Sequence, residues 1–492
     1  MAITQSFSDL LIQRGASLRS ALTQLDRTAL GFLIVVDEWN KLSAVLTDGD
    51  IRRAFLRGVA LDDPIDRAMQ GNCVSMPVEA TAAEISAALT GKITFLPLVD
   101  REGHPVDYAS VSRHRRYPVM EPALDGNEAD YVQECVQTGW VSSQGRFVGL
   151  FERMMADLHG VPYALAVSNG TCALHLALVS LGIGPGDEVI VPDLTFASTA
   201  NVVIHAGATP VLVDVDPETW NMDASAVQKA LTERTRAIMP VHLYGHPCDM
   251  DPLMALARER NLYVIEDAAE ALGAGYKGKI VGSFGNAACF SFFGNKTITT
   301  GEGGIILFKD GRVAERARIL RDHGMSKERR YWHLEVGYNY RLTNLQAAIG
   351  VAQLERIDSI LKRKRAVAAR YNAELKHIPK LGLPPSAPWA NSAYWLYTIQ
   401  LSDDLGISRD ALAERLLLNG IETRPVFYPL HQMPLYQRYC AGGEFPNADR
   451  LSRAGLSLPS AVTMRDLDID AVVAKIDEIV RVHQMADAAG TG

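Results

Sequence analysis

The sequence predicts an α/β protein: a mostly parallel sheet covered by helices, with a small α+β unit before it and a smaller α/β lobe after it. Three observations lead there. Between residues 163 and 266, apolar strand-length runs alternate with helix-length periodic segments. Such an order gives parallel strands with helices on both faces, and ligands then sit beyond the carboxyl ends of the strands. Residues 1–116 carry a different pattern that repeats once. Finally, 492 residues suit about two to four units of ~100–200 residues, and 48% apolar with 22% charged residues suits large cores.

Taken in order, residues 18–25 have helical spacing and 32–37 (FLIVVD) read as a buried strand. Residues 41–46 lead into Thr47-Asp48-Gly49-Asp50 and a helix over 51–56. A weaker copy follows, with a helix at 82–89 and a strand at 95–100 (FLPLVD), a period of roughly 60 residues. The two prolines of YPVMEPA, residues 117–123, mark a linker. A helix over 127–138 and the polar loop GWVSSQG precede the alternating region. There the strands fall at 163–168, 188–192, 209–215, 236–242 and 263–266, and the helices at 171–181, 196–205, 224–231 and 251–260. From residue 361, LKRKRAVAARYNAELKHI reads as a long basic helix, followed by a strand at 395–401, a helix at 410–418 and a terminal helix from about 466. The expected domains are 1–116, 117–360 and 361–492.

A net charge of −8 without a basic stripe argues against nucleic-acid binding. The one dense basic run, Arg113–Arg116, reads as a solvated linker. Six scattered cysteines with no CxxC pair fit thiols in a reducing compartment better than disulfides or a zinc site. The first residues lack a secretory pattern and no run of 18 apolar residues occurs, so the expectation is a soluble, cytoplasmic protein without bound metal or membrane insertion.

The chemistry is concentrated in VIEDAAEALGAGYKGKIVGSFGNAACFSFFGNKTITTGEGGIIL. Asp267 closes an apolar run, and 29 positions on Lys296 lies between FSFFGN and TGEGG. The pair reads as the two ends of one pyridoxal phosphate (PLP), with the carboxylate on the ring nitrogen and the amine on the aldehyde. Successive acids at Glu266-Asp267 are costly inside a core unless a donor or cation meets them, and a pyridinium N–H is such a partner. A phosphate cup is read at Asn169-Gly170-Thr171, where a strand ends, a helix opens and Gly170 permits close approach. The same turn is also a good helix cap. Ser291 can add a hydroxyl, and Phe196, in DLTFAST, is either a ring-stacking residue or a core aromatic.

Together these residues resemble the DegT/DnrJ/EryC1/StrS sugar aminotransferases, a fold-type I PLP group acting on nucleotide-linked keto sugars. The resemblance runs from about Glu121 to the C-terminus and rests on GWVSSQGRFVGLFE, SNGTCALHLAL, GPGDEVIVPDLTFAST, PVHLYGHPCDMD, IEDAAEALGA, FSFFGNKTITTGEGG, GYNYRLTNLQAAIG and RPVFYPLHQMPLY. It implies that Lys296 bonds the cofactor and moves protons, Asp267 pairs with the ring nitrogen, and Gly170, Thr171 and Ser291 hold the phosphate. Phe196 would stack on the ring, and Asn339 would reach the phosphate in the neighbouring subunit of a homodimer with shared active sites. Glu270 stands near the cofactor's 3-oxygen, where the family often has Gln or His. His323, Tyr331, Arg424 and His431 become candidates for the sugar-nucleotide side.

The implied reaction moves an amine from L-glutamate to a 4-keto-6-deoxy sugar. EDAAEA with FSFFGNKTITTGEGG looks most like the branch that converts GDP-4-keto-6-deoxy-D-mannose to GDP-perosamine for surface polysaccharide. A UDP- or dTDP-linked sugar is the alternative substrate, and a nucleotide-sensing regulator on an aminotransferase scaffold is the alternative of another class. Residues 1–116 resemble a pair of CBS modules, in which Thr47 and Asp50 would hold an adenine nucleotide's phosphate and ribose; both residues would equally cap a helix.

Overall fold

The computed structural model describes residues 7–69, 73–80, 82–90, 93–110, 117–440 and 442–490. Arg113–Arg116 lie outside the described residues. The chain divides into two compact units, Met1–Tyr117 with Leu417–Ile421, and Pro118–Leu416 with Glu422–Gly492.

The first unit is a duplicated motif. One copy holds β1 (Leu11–Gln13), α1 (Leu18–Thr28), β2 (Phe32–Val36), β3 (Leu42–Thr47) and α2 (Asp48–Leu56). The other holds β4 (Met76–Pro77), α3 (Ala82–Ala88), β5 (Phe95–Val99) and β6 (Pro105–Ser110). Each forms a three-stranded sheet with one parallel and one antiparallel pairing, and Phe32 opposes Thr47 just as Phe95 opposes Ser110, 63 residues later. The hairpin turns repeat too. Asp37 accepts the N–H groups of Trp39 and Lys41, and Asp100 those of Glu102 and His104. The equivalent rings of Phe32 and Phe95 stack with centroids 3.8 Å apart, so the two copies share an aromatic core with Tyr108.

The second unit begins with α4 (Glu128–Thr138) and α5 (Arg146–His159). The alternating region follows as β7 (Tyr163–Val167), α6 (Gly170–Ser180), β8 (Glu188–Pro192), α7 (Ser198–His205), β9 (Thr209–Val213), α8 (Ala224–Ala230), β10 (Thr235–Ile238), α9 (Met250–Arg260) and β11 (Tyr263–Asp267). Short strands β12 (Gly275–Tyr276) and β13 (Lys279–Ile280) then lead to β14 (Ala287–Ser291), β15 (Gly304–Phe308) and α10 (Gly311–Arg321). The remainder comprises α11 (Asn344–Leu354), α12 (Ile357–Leu375), β16 (Leu381–Gly382), β17 (Ala390–Asn391), β18 (Tyr397–Leu401), α13 (Arg409–Leu418), β19 (Arg424–Pro425), α14 (Pro446–Ala454), β20 (Gly455–Leu458) and α15 (Asp466–Gly490).

The central sheet has seven strands in the order β7-β15-β14-β11-β10-β8-β9. Neighbours from β14 to β9 are parallel, whereas β15 runs antiparallel to both β14 and β7. The reason is the connection. Parallel strands need a crossover helix, but β14 returns directly as β15 through the loop that carries Lys296, which only an antiparallel pair allows. Both faces of the sheet are covered: Leu165, Val167 and Ile306 enter one core, and Ala164, Ala166 and Ile305 the other. That explains why these strands read as continuous apolar runs.

Most helix and strand boundaries fall within a few residues of expectation. The helix expected at 196–205 starts at Ser198, which leaves Phe196 in the preceding turn, and the basic helix starts at Ile357, so it runs across residue 360. The later strands form an antiparallel sheet, β16-β18-β20-β19.

Candidate active site

Three strand ends meet at one edge of the central sheet. Val167 pairs with Arg341 and Gly304, Gly304 with Ser291, and Asp267 with Cys289. This register brings the SNGT turn, Ser291 and Asp267 to the same side. The approach at Gly170 is close: a side chain there would place its Cβ 2.7 Å from the Ser291 Cβ, so only glycine fits. Asn169 caps α6 by accepting the Cys172 N–H at 2.8 Å. Gly170 and Thr171 open the helix, where the first N–H groups have no intrahelical acceptor.

The two adjacent acids at the end of β11 have different environments. Alternation along the strand sends them to opposite sides. Glu266 is fully buried and satisfied by the protein itself, accepting N–H groups from Gly282, Phe284 and Gly285 at 2.7–2.8 Å. His242 completes the set at 3.3 Å; its Nδ1 accepts the Cys248 N–H, so its proton sits on Nε2, facing the carboxylate. Burial would push the Glu266 carboxyl up, but His242 and the backbone donors hold it below the usual range. Glu266 therefore needs no ligand.

Asp267 is 5% exposed and accepts the Thr199 hydroxyl at 2.8 Å and the Ala269 N–H at 3.2 Å. Because Thr199 donates to Asp267, the 2.9 Å contact between the Thr195 and Thr199 hydroxyls runs from Thr195 to Thr199. Burial raises the Asp267 carboxyl above its ordinary value, opposed by Thr199 and the charge of Lys296. Neither threonine was singled out in sequence, although both stand in DLTFAST beside Phe196.

Lys296 is largely buried. Its Nζ lies 3.8 Å from Glu270 Oε1 and 3.8 Å from the centroid of the Trp395 ring. Burial lowers its pKa, against the pull of Glu270 and Asp267, and Arg424 lowers it further. A lysine whose charged form is disfavoured by burial is closer to a usable amine than one in water. Trp395 also donates its indole N–H to the Asn295 carbonyl at 2.7 Å, fixing the residue before Lys296. From Trp395 an aromatic wall continues through Tyr244 and Phe427 to Phe196, with centroids 6.0, 5.4 and 5.8 Å apart. Phe196 ends this wall 58% exposed, a free face rather than a core position. Tyr244, Trp395 and Phe427 are far apart in sequence, which is why spacing did not find them.

The remaining candidates separate. Arg424 acts on Lys296 electrostatically. His431 donates Nδ1–H to the buried Asp193 at 2.7 Å, stacks on Phe445 and approaches Asp449, so it ties the later segment to the end of β8. His323 and Tyr331 line a different cleft of about 830 Å³ with Ser143, Gln144, Arg330 and Arg341. Asn339 sits beside that cleft, exposed, accepting from Arg341. In the first unit, Thr47 and Asp50 form a reciprocal capping box and Arg53 pairs with Asp50 at 2.7 Å.

Comparison with known proteins agrees with this geometry. The DegT/DnrJ/EryC1/StrS aminotransferase family matches residues 122–477. The GDP-perosamine synthase of Caulobacter vibrioides is 51% identical over 366 residues, covering 74% of this chain and 98% of that protein. That of Escherichia coli O157:H7 is 45% identical over 364 residues, covering 73% and 98%. Among solved structures, DesV of S. venezuelae in complex with a ketimine intermediate superimposes with a TM-score of 0.69 at 36% identity, covering 74% of this chain and 98% of DesV. Spr1654 of Streptococcus pneumoniae, described as a sugar aminotransferase and solved in its PLP form, gives 0.70 at 27% identity, covering 75% and 99%.

The residues present fit PLP. A largely buried lysine with a lowered pKa, a buried carboxylate held by a hydroxyl and a backbone donor, a glycine-tight helix N-terminus beside a serine and an exposed phenyl face are the four contacts its aldehyde, ring nitrogen, phosphate and ring require. With the match spanning most of the second unit, the chain belongs to the DegT/DnrJ/EryC1/StrS aminotransferase family and is a PLP-dependent sugar transaminase.

Proposed function

We propose that this protein transfers the amino group of L-glutamate to C4 of GDP-4-keto-6-deoxy-D-mannose, giving GDP-perosamine. The observation that carries the substrate assignment is the 51% identity along nearly the whole length of a GDP-perosamine synthase. Bound PLP supplies the electron sink and carries the amine between the two substrates. Lys296 bonds the cofactor and, once released, shuttles a proton at Nζ; Asp267, held by Thr199, keeps the ring nitrogen protonated. Gly170, Thr171 and Ser291 hold the phosphate, and Phe196 covers the ring. Trp395 and Tyr244 shield Lys296 from water. Arg424 faces the substrate side; His431 is assigned a packing role by its Asp193 and Phe445 contacts.

A homodimer with shared sites follows from the same reading. His323 and Tyr331 line a cleft that does not include Lys296, Asn339 accepts from Arg341 of its wall, and Tyr331, Trp332, Leu334 and Val336 are exposed along the same segment, as an interface would require. Mixing Lys296→Ala with Asn339→Ala chains tests this: a shared site regains activity in the mixed dimer, and independent sites do not. The six free thiols suit a cytoplasmic enzyme. The first unit is read as a CBS-like pair that senses an adenine nucleotide, which would displace Arg53 from Asp50; calorimetry with AMP and ATP on the full chain, and on Thr47→Ala, decides it.

The substrate is tested by offering GDP-, UDP- and dTDP-linked 4-keto-6-deoxy sugars with L-glutamate. Amination of the GDP sugar at least tenfold faster is expected. Preference for a UDP or dTDP sugar overturns the perosamine assignment while leaving the reaction class intact.

A further inference from the structure

The most unusual group in the site is Glu270, a 5% exposed carboxylate whose Oε1 points at Lys296 Nζ from 3.8 Å. Its other oxygen, Oε2, accepts the Tyr244 N–H at 2.8 Å. That donor is held under constraint. Tyr244 adopts a left-handed backbone with φ 52° and ψ 16°, uncommon for a bulky residue and a cost that its surroundings must offset. Its ring is fixed between Trp395 and Phe427, and its hydroxyl accepts the Phe427 N–H at 3.1 Å. Gly245 follows at φ 97°, pressed so closely on the Tyr394–Trp395 backbone that any side chain would meet it at 2.7 Å. The turn is thus anchored on the segment that carries Trp395, against which Lys296 rests. One carboxylate oxygen is immobilised and the other is presented to the reactive amine.

We propose that Glu270 is the proton partner of Lys296, the two side chains holding one proton between Oε1 and Nζ that moves to Glu270 when Lys296 acts as an amine and returns when it must again be an acid. The exchange balances within the pair: ammonium and carboxylate become amine and carboxylic acid, with no other reactant. At 3.8 Å the contact is longer than a hydrogen bond, so transfer requires a small approach of the flexible lysine, whose Nζ rests 3.8 Å from the centroid of the Trp395 ring. Burial pushes the Glu270 carboxyl up to about 7, with Lys296 and the Tyr244 N–H opposing and Asp267 adding to the rise. Lys296 is lowered by burial, so the two groups approach each other in affinity for the proton. The other charged or titratable groups facing the pair are Asp267, Arg424, His242 behind Asp267, and the Tyr244 phenol.

This inference rests on the transaminase reading but not on the identity of the sugar. The test is a pH titration, from 5 to 9, of the bound cofactor's absorbance in the full-length holoenzyme after L-glutamate has aminated the cofactor and released Lys296, with excess amino acid removed, for wild type, Glu270→Gln and Glu270→Asp. Glu270→Gln keeps the acceptor for the Tyr244 N–H and removes only the acidic proton. Wild type is expected to show a transition near 7; in Glu270→Gln it should vanish or shift by more than one pH unit, and the glutamate half-reaction at pH 7 should slow at least tenfold. Glu270→Asp, with the carboxyl drawn back, should retain a displaced transition. A Glu270→Gln enzyme that binds cofactor and titrates like wild type overturns the proposal. Failure on every sugar offered, with these spectral shifts intact, overturns the substrate assignment instead.

Discussion

Lys296 and Lys364 both stand in the second unit with little exposure, and they differ in what faces them. Lys296 looks toward two carboxylates, Glu270 and Asp267, across a site with an exposed aromatic edge. Lys364, on α12, is 1% exposed and donates to the Trp395 and Ser460 carbonyls at 2.9 and 2.5 Å, with the Met120 sulfur at 3.6 Å. Burial pushes Lys364 down to about 7. Burial lowers the pKa of both amines, so a low pKa does not by itself mark a catalytic lysine. Access and a proton acceptor do. Trp395 joins the two: its carbonyl holds Lys364 and its ring supports Lys296.

The comparison breaks most visibly at Lys296. Lys296→Ala should reduce amination by about 10³-fold or more while leaving the melting temperature of the cofactor-free protein near wild type, read by absorbance of the glutamate half-reaction and by calorimetry. Lys364→Met should do the opposite, retaining turnover while changing stability.

A smaller effect sharpens the contrast between the acids. Glu266→Ala leaves His242 and three N–H groups without their acceptor and should cost about 3 kcal/mol of stability, seen in denaturant unfolding, before any effect on the chemistry. Thr199→Val removes one hydroxyl donor from Asp267 and should slow the glutamate half-reaction by roughly tenfold, with little change in unfolding midpoint.

The subtlest difference is in pH. Lys364 titrates near 7 when folded and near 10.5 when unfolded, so the unfolded chain binds more protons between those values and stability rises with pH across that window. At pH 9 Lys364→Met should be less stable than wild type by about 1–3 kcal/mol, because two carbonyls lose their donor. As pH falls from 9 towards 7 the gap should narrow, since wild type then comes to bury a charge. A gap independent of pH would remove Lys364 from this role.

Much of this was legible in the chain itself. The alternating apolar runs specify the sheet, since strands covered on both faces must be apolar throughout, and the Lys296 loop was recognisable from glycine-rich flanks between two such runs. The duplication in the first unit was visible as a period, and its registers repeat 63 residues apart. Lys364 stood only as one residue of a long basic helix, because a charge pattern does not say which face of a helix is covered.

What the sequence by itself determined was the local order: which strands end where, and that Asp267, Lys296 and the Gly170 turn fall at strand ends. Tertiary structure alone decided which groups oppose them. Thr199, Tyr244, Trp395 and Phe427 come from elements separated by up to more than two hundred positions, and periodicity carries no information about such contacts. It also decided that Glu266 is satisfied by its own fold while Glu270, four residues on, faces an amine, because hydrogen-bond partners are set by packing and not by neighbours in the chain.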